Sequence, residues 1–457
     1  MNFDPRTIRT PTLELAGWVS ALRHDGVPAA TRTVIRKAVF DTLGCALHGA
    51  AQPWTRLARE WAQSGSGFAA GQGQASVWGE AAPSLRTTAA AFVNGIAAHA
   101  FELDDYHNAK LHPGAAVIPA ALAVAQHVNA GGAALETAIA AGYETMIRAS
   151  LALDPSTARL NGWHLTGICG PFGAAAACAK LLGLDAERTA WALGLAGTQG
   201  AGLWAFTADG TMSKRFHAGK AAESGVLAAE LAARGFSGPT QIFEAADGGF
   251  LKAHSAVADP APLTHELGTR WHTDATAIKP YACCGSSHAY VDAALALRQK
   301  LGAPWDVSRP VRAGAAKVVN VQCGFDYVPS SALVAQMNLR YIIARTLLDG
   351  QAQAPQFAAD KLAEPQALAL ARHIELVEDP ALDALYPRQF AGWMESGGER
   401  VFIHDPTGSQ AAPIGEAALK EKFRASNPSR DAEVIARIAF ALDRHPARDL
   451  LHAAATG

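Results

Sequence analysis

Hydrophobic positions recur at helical spacing through roughly the first 270 residues of the chain. In the segment "TRTVIRKAVFDTLGCALHGA", Thr31 is placed to cap a helix, and apolar residues follow at every third or fourth position. The segment "PFGAAAACAKLLGLD" repeats this pattern and is expected to stop at Gly183. Alanine is abundant in both segments, and small side chains let helices approach closely. The pattern therefore predicts compact all-α packing.

The pattern changes after Ala277. The segments "RAGAAKVVNVQC", "ARHIELVEDPAL" and "ERVFIHDPTG" carry β-branched runs and turn residues, and helical stretches such as "ALVAQMNLRYIIARTLLDG" lie between them. From Ile414 onward the spacing returns to that of helices. The predicted fold class is mainly α, with a large all-α helical domain over residues 1–270 that residues 411–457 rejoin, and a smaller α+β lid domain over residues 271–410.

Composition narrows the class of protein. The 457 residues exceed what a single hydrophobic core usually supports, which favours two domains. A net charge of -2 without any dense Lys/Arg run argues against nucleic acid or an anionic membrane as a partner. The six cysteines form no C-x-x-C pair, which favours a reducing compartment over a disulfide scaffold or a zinc site. The N-terminus lacks the apolar core of a signal peptide, and no apolar run reaches the ~20 residues of a membrane span. We expect a cytoplasmic protein.

Titratable residues concentrate in the acidic loop, residues 102–112, which directly precedes a nearly apolar run. Pro113 and Gly114 follow the loop and mark a turn before the next helix, so its polar side chains are expected at a helix end. They suit either a binding site or a capping network for that helix. The polar members are Glu102, Asp104, Asp105, Tyr106, His107 and His112.

Two further clusters carry basic side chains. In "NGWHLTGICGPFGAAAA", His164 lies in a glycine-rich turn ahead of a helix whose free N–H groups suit a carboxylate, although a lone histidine is also a common structural residue. In "DGTMSKRFHAGKAAESG", Lys214, Arg215, His217 and Lys220 precede a helix of small residues. The glycines there lack phosphate-loop spacing, so these cations suit a carboxylate rather than a nucleotide, or form a solvated basic face.

A fourth cluster, "KPYACCGSSHAYVDAALAL", lies near the predicted domain junction and places His288 at the start of an apolar helix. Cys283 and Cys284 are adjacent and therefore poor joint ligands for one tetrahedral zinc, so we interpret them as structural. The sequence contains no G-x-S-x-G elbow, no G-x-G-x-x-G after a strand and no H-E-x-x-H motif.

These segments, in this order, resemble the MmgE/PrpD family, which includes 2-methylcitrate dehydratase, cis-aconitate decarboxylase and iminodisuccinate epimerase. The resemblance covers nearly the whole chain. It rests on "VFDTLGCALHGA", "NGIAAHAFELDD" with "LHPGAAVIPAALA", "GWHLTGICGPFGAAAACAKLLGL", "DGTMSKRFHAGKAAESGVLAAELAARGFSGP" and "KPYACCGSSHAYVDAAL".

The resemblance implies a large all-α domain, a smaller α+β lid, an active site in the cleft between them, and a homodimer. By similarity, the catalytic residues fall on His112, His164, Lys214 and His288, and the substrate-binding residues on Glu102, Asp104, Asp105, Tyr106 and Arg215. We expect the first three catalytic side chains to come from the helical domain and His288 to approach from the junction. The loop departs from the decarboxylase-like pattern, which has an aspartate where Glu102 stands and a threonine where Tyr106 stands.

The implied substrates are small di- or tricarboxylates, and the implied step makes or discharges a carbanion or enolate beside a carboxylate. Such a site needs cations to hold carboxylates and a positioned acid and base, which lysine and histidine supply without a metal or an organic cofactor. We expect His112 to transfer the proton, tuned by Asp104 or Asp105. The leading interpretation is a cofactor-independent lyase that dehydrates a hydroxy-polycarboxylate of the 2-methylcitrate type. The alternatives are an epimerase of an iminodisuccinate-like dicarboxylate, a cis-aconitate-type decarboxylase, and a non-catalytic carboxylate-binding protein.

Overall fold

The computed structural model describes residues 10–65, 67, 71–82, 84–386 and 389–457. The first nine residues, which carry part of the N-terminal stretch interpreted above, lie outside this range. Within the described residues, no helix is both long enough and apolar enough to cross a membrane.

Helices dominate the chain, and the predicted mainly-α fold class is confirmed. The first twelve α-helices are α1 (Pro11–Ala21), α2 (Ala29–Gly49), α3 (Pro53–Ser64), α4 (Thr87–Ala98), α5 (Pro113–His127), α6 (Gly132–Ala152), α7 (Pro155–Leu160), α8 (Leu165–Leu181), α9 (Ala186–Gly197), α10 (Ser213–Ala233), α11 (Phe250–His254) and α12 (Ala261–Thr264). The remaining elements are α13 (His288–Leu301), β1 (Val311–Ala315), α14 (Lys317–Cys323), α15 (Ala332–Met337), α16 (Leu339–Asp349), α17 (Pro365–His373), β2 (Ile374–Glu378), α18 (Pro380–Asp383), β3 (Gly392–Ser396), β4 (Glu399–Ile403), α19 (Glu416–Ser426), α20 (Ala432–Ala439) and α21 (Ala447–Thr456). Short 3₁₀ turns lie at His24–Gly26, Trp204–Thr207, His272–Ala275, Gly285–Ser287, Ala354–Phe357 and Leu442–Arg444.

The chain divides into two compact units. Unit 1 comprises the described residues of Met1–Ala100, Asp104–Thr276 and Ser429–Gly457, and unit 2 comprises Phe101–Leu103 and the described residues of Ala277–Pro428. The domain limits expected from the sequence, at residues 270 and 411, stay a prediction.

Unit 1 is built around α8, which packs against α5, α6, α9 and α10. Every residue of α8 up to Ala179 is buried, and eight of the 17 residues of this helix are glycine or alanine. A Cβ added at Gly173 would lie 2.7 Å from the carbonyl oxygen of Gly142 in α6, and one at Gly225 of α10 would lie 2.3 Å from the Cβ of Ala174. Small residues therefore set the close spacing of these helices, as the alanine-rich pattern predicts.

Unit 2 contains a four-stranded sheet in the order β2-β1-β3-β4. Strands β1 and β2 pair in parallel, whereas β1–β3 and β3–β4 pair antiparallel. Gly397 and Gly398 connect β3 to β4 with positive φ at both positions, a conformation that glycine adopts without strain and that two-residue hairpins favour. Helices α13 and α16 and the sheet share one hydrophobic core.

Several local interpretations of the sequence are wrong. Thr31 does not cap α2, which begins earlier, at Ala29, and the Thr31 hydroxyl instead donates to Asp274. The β-branched residues of "RAGAAKVVNVQC" lie in helix α14, and only the first four residues of this segment belong to β1. Pro113 and Gly114 are the first residues of α5 rather than a turn before it, which fits the preference of proline for the first helical position.

Candidate functional site

The acidic loop connects the end of α4 to the start of α5, and a histidine lies at each helix end. His99 directly follows the last residue of α4, and His112 directly precedes the first residue of α5. Between them, Oδ2 of Asp104 accepts a hydrogen bond from Nδ1 of His99 at 2.7 Å and lies 3.3 Å from Nδ1 of His112. The side chains of His99 and Asp104 are fully buried, so one carboxylate is shared by two imidazole rings away from water.

Burial and charge set the protonation states of this group. Burial lowers the pKa of His99 to about 4, although Asp104 raises it. Burial alone would raise the pKa of Asp104, but the two histidines beside it hold this pKa well below its usual value. At neutral pH, Asp104 is therefore an anion, and His99 is a neutral ring that donates through Nδ1.

His112 keeps contact with solvent, with 16% of its side chain exposed. Its Nδ1 lies 2.7 Å from the main-chain carbonyl oxygen of Asp105, so Nδ1 is the protonated nitrogen of the neutral ring. Its backbone N–H donates to Oγ1 of Thr166 at 3.1 Å. The arrangement leaves Nε2 of His112 as the acceptor nitrogen.

The carboxyl group of Asp105 points to the start of α5 rather than to a histidine. Oδ1 accepts from the N–H of Gly114 at 2.9 Å, and Oδ2 accepts from the hydroxyl of Tyr143 at 2.8 Å. Burial and the neighbouring charge of Asp104 raise the pKa of Asp105 to about 8. For Asp105 the alternative of a capping network thus describes the observed contacts.

His164 occupies the position before α8, as the sequence predicts, and is buried. Its Nδ1 lies 3.0 Å from Nδ1 of His217, and its ring centroid lies 5.9 Å from that of His99 and 5.4 Å from that of Trp204. Burial, followed by the charges of His99 and Lys214, holds the pKa of His164 well below its usual value.

Lys214 is the second residue of α10 and is buried. The expectation that Lys214, Arg215, His217 and Lys220 precede this helix is wrong, because α10 begins at Ser213 and contains all four. Its charge lowers the pKa values of both His99 and His164, so its ammonium group faces the histidines. These residues form the histidine cluster, which consists of His99, His112, His164 and His217 with Asp104 and Lys214 beside them. All six residues belong to unit 1.

Arg215 makes different contacts from its neighbour Lys214. Its Nε donates to the carbonyl oxygen of Ala100 at 3.3 Å, and its guanidinium carbon lies 4.6 Å from the centroid of the Trp54 ring. Successive residues of a helix point about 100° apart, which separates these two side chains. A role for Arg215 in substrate binding stays a prediction.

Glu102 and His288 belong to unit 2 and form a second buried group. Nζ of Lys279 lies 3.1 Å from Oε2 of Glu102 and 3.2 Å from its carbonyl oxygen. Nε2 of His288 lies 3.3 Å from the carbonyl oxygen of Cys283. Burial, followed by the charge of Lys279, lowers the pKa of His288 to about 3. The expected convergence of His288 with His112, His164 and Lys214 stays a prediction.

The other polar residues of the acidic loop make local contacts. Nε2 of His107 lies 3.2 Å from the carbonyl oxygen of His272, and Nδ1 of His107 accepts from the N–H of Ala109. Tyr106 is half-buried beside the short bridge between His107 and Leu111. These contacts fix the shape of the loop.

One set of residues in the described chain places three metal-binding atoms near each other. The candidate atoms of His99, Asp104 and His112 lie within 4.8 Å of one another. However, Nδ1 of His99 and Oδ2 of Asp104 are already bonded to each other at 2.7 Å, and a zinc ion would need each donor at ~2.0–2.2 Å. Hydrogen bonding accounts for this arrangement, and we do not assign these residues as metal ligands.

Reasoning from the sequence missed His99, His217 as a site residue, and Lys279. His217 follows Lys214 by three residues, a spacing that places both on one face of a helix, so the helical period could have indicated it. No spacing rule indicates His99, because it lies at the end of another element. Lys279 begins the "KPYACC" segment, but its pairing with Glu102 joins residues 177 positions apart.

Comparison with known proteins identifies the class to which this chain belongs. The sequence model of the MmgE/PrpD N-terminal domain matches residues 13–263, and that of the MmgE/PrpD C-terminal domain matches residues 281–443. The chain belongs to the MmgE/PrpD family and is an enzyme of the lyase type.

Its similarity to individual proteins points in the same direction. It is 32% identical to cis-aconitate decarboxylase of Aspergillus terreus over 432 residues, which cover 88% of this chain and 85% of that protein. It is 28% identical to cis-aconitate decarboxylase of Homo sapiens over 409 residues, or 86% and 82% of the two chains. A cis-aconitate decarboxylase-like protein of Aspergillus oryzae is 32% identical over 380 residues, which cover 78% of this chain and 76% of that protein.

Proposed function

We propose that this enzyme decarboxylates a small unsaturated tricarboxylate of the cis-aconitate type without a cofactor. The observation that carries the proposal is the histidine cluster, in which the imidazoles of His99 and His112 share the carboxylate of Asp104, and the Lys214 ammonium group lies close enough to His99 to lower its pKa. The names of the relatives support the choice of decarboxylation among the reactions considered.

The charge balance of the cluster suits an anionic ligand. Burial favours the neutral form of His99 and His164 while the site holds no other charge. A bound tricarboxylate would bring negative charge next to these rings and raise their pKa values, since an opposite charge favours the charged form of a base. Substrate binding would thereby favour protonation of the histidine that acts as the acid in the reaction.

The reaction can be written with these groups. The C–C bond to one carboxylate breaks, CO₂ leaves, and the electron pair stays on carbon, where the adjacent alkene and carboxylate delocalise it. A histidinium then delivers a proton to carbon and forms the C–H bond. Lys214 would hold a carboxylate that does not leave, and the step is redox-neutral.

Dehydration of a 2-methylcitrate-type acid is the second candidate, and one observation favours it. Glu102 and Tyr106 stand where the decarboxylase-like pattern has aspartate and threonine. The Glu102 side chain is one methylene longer than the aspartate of that pattern, and its carboxylate is paired with Lys279. The same histidines would remove a proton next to a carboxylate and protonate the departing hydroxide.

Incubation of the enzyme in deuterated water with a panel of acids, followed by NMR, tests both candidates. The proposal expects cis-aconitate to lose CO₂ and the product to carry one deuterium at the protonated carbon. Formation of an alkene from 2-methylcitrate, with cis-aconitate unchanged, would replace decarboxylation by dehydration. Deuterium exchange alone would indicate an epimerase, and tight binding with no reaction would indicate a carboxylate-binding protein. Lys214→Ala should abolish any turnover that is found.

A further inference from the structure

We infer that His99 is a proton-transfer residue of this site, with Nε2 as the reacting atom and Asp104 holding the ring in place. The inference rests on the proposed function for the identity of the substrate, but not for the assignment of the nitrogen. No sequence motif singled out His99, and its geometry differs from that of the histidines that the resemblance indicated.

The hydrogen bonds of His99 define its tautomer. Nδ1 lies 2.7 Å from Oδ2 of Asp104, and a carboxylate can only accept, so the proton of the neutral ring lies on Nδ1. Nε2 then carries a lone pair. It is buried and has no hydrogen-bond partner among the described residues.

A buried nitrogen without a partner is unusual, because nearly all buried polar atoms in proteins are hydrogen-bonded. Here the atom lies within a group of titratable side chains from several elements. The ring centroid of His112, before α5, lies 4.7 Å away, and that of His164, before α8, lies 5.9 Å away. Lys214 approaches from α10, and Asp104 is the acid that faces His99 from the loop. The missing partner of Nε2 is accordingly assigned to a proton or to the substrate.

The carboxylate of Asp104 makes a shorter contact with His99 than with His112. The contact to His99 is 2.7 Å, whereas Nδ1 of His112 is 3.3 Å from Oδ2 and closer to the carbonyl oxygen of Asp105. A carboxylate behind an imidazole fixes the tautomer and stabilises the imidazolium that forms when the other nitrogen takes a proton. Among the histidines of this site, His99 has the shorter contact to a carboxylate.

The proton balance is simple. Nε2 of His99 takes up one proton when the polyanion binds, donates it to carbon as CO₂ leaves, and returns to the neutral state. One proton is consumed per turnover. For a dehydration, Nε2 would instead remove the proton next to a carboxylate, so the role of this nitrogen as proton carrier does not depend on which lyase reaction occurs.

Two substitutions separate proton transfer from structural support. In His99→Asn, the amide nitrogen occupies the place of Nδ1 and keeps the bond to Asp104, but the side chain ends before Nε2. In His99→Gln, an amide reaches the place of Nε2 but cannot exchange a proton. We expect both variants to lose about 10²–10⁴-fold in kcat with little change in KM or melting temperature. His127→Asn is the matched control, since His127 is exposed at the last residue of α5 and should keep wild-type turnover.

A structural role for His99 predicts a different result. His99→Asn would then keep nearly all of its turnover, because it preserves the bond to Asp104, and that outcome would overturn the inference. If wild-type enzyme ignores cis-aconitate but dehydrates a hydroxy acid, the proposed function fails while the same variants test His99 on that acid.

A measurement that needs neither turnover nor a stable variant completes the test. In wild-type protein carrying ¹⁵N-labelled histidine at pH 7, two-bond ¹H–¹⁵N correlation reports the tautomer of each ring, and any folded His99 variant assigns the signal. A neutral ring protonated on Nδ1 supports the inference. A ring protonated on Nε2, or an imidazolium in the free protein, would overturn it.

Discussion

At the scale of single residues, His112 and His99 share a carboxylate but differ in exposure and in hydrogen bonding. His112 is partly exposed and is positioned by a main-chain carbonyl oxygen, whereas His99 is buried and positioned by Asp104. Two histidines with different environments can divide the roles of proton carrier and solvent exchange. The acidic loop therefore does more than supply negative charge, because Asp104 orients the rings of both histidines.

The first prediction concerns His112. His112→Ala should lower kcat about 10²–10⁴-fold while substrate affinity stays nearly unchanged, since a general acid or base acts mainly in the transition state. Its side chain makes no capping bond to α5, so the loss of stability should be about 1 kcal/mol or less. Turnover, ligand affinity and thermal unfolding are to be measured on one preparation. Wild-type turnover combined with reduced stability would show a purely structural role.

At the scale of secondary-structure elements, glycines decide how closely the helices of unit 1 pack. Helix α8 lies between α6 and α10, and its neighbours approach through small residues at the contact points. The same packing fixes the starts of α8 and α10, and hence His164 and Lys214. Helix contacts far from the site thereby control the geometry of the histidine cluster.

The second prediction compares one substitution in two helices. Replacing a mid-helix glycine by alanine normally stabilises a protein by about 0.5–1 kcal/mol, and Gly17→Ala in α1 should do so because nothing lies within 4 Å of the new Cβ. Gly225→Ala in α10 should instead destabilise by about 1–3 kcal/mol, because its Cβ would lie 2.3 Å from that of Ala174. Chemical denaturation of both variants shows whether each substitution raises or lowers the free energy of unfolding. A stabilised Gly225→Ala protein would contradict the close packing.

At the scale of the whole molecule, buried titratable groups couple folding to pH. Burial lowers the pKa values of His99 and His107 to about 4 and that of His288 to about 3, while it raises the pKa of Asp105 to about 8. The pKa of a histidine in the unfolded state is near 6.5. Between pH 6.5 and about 4 these histidines are therefore protonated in the unfolded state but neutral in the folded state. Asp105 has the opposite effect, because the folded state keeps its proton up to about pH 8 and the unfolded state loses it near 3.8.

The third prediction is a maximum of stability near pH 6.5. Below it, the three histidines outweigh Asp105, and the free energy of unfolding falls as the pH falls toward 4. Above it, these histidines are neutral in both states, and stability falls as the pH rises toward 8 because Asp105 remains costly to ionise in the fold. Melting temperatures between pH 4.5 and 8.5 test this shape. Asp105→Asn should flatten the alkaline side and steepen the acid side, because Asp105 opposes the histidines between about pH 3.8 and 6.5. A melting temperature of the wild-type protein that rises steadily to pH 8.5 would contradict the assignment.

The sequence by itself determined the class of fold and the segments that carry the chemistry. Helical spacing in the first 270 residues, and the change of pattern after Ala277, correspond to the helices of unit 1 and the mixed sheet of unit 2. The start of α8 directly after His164 followed from local spacing alone. These features depend on residues a few positions apart, and backbone geometry fixes how such residues are arranged.

Only the tertiary structure decided which side chains meet. It places Oδ2 of Asp104 closer to the ring of His99 than to that of His112. It also directs the carboxyl group of Asp105 toward Tyr143 and pairs Glu102 with Lys279. The "VVNV" run became a helix although its residues favour strands, because packing overrides the weak intrinsic preference of short segments. Side-chain partners distant in sequence depend on how whole elements pack and on the direction in which each side chain leaves its helix or loop, and neither is encoded in local spacing.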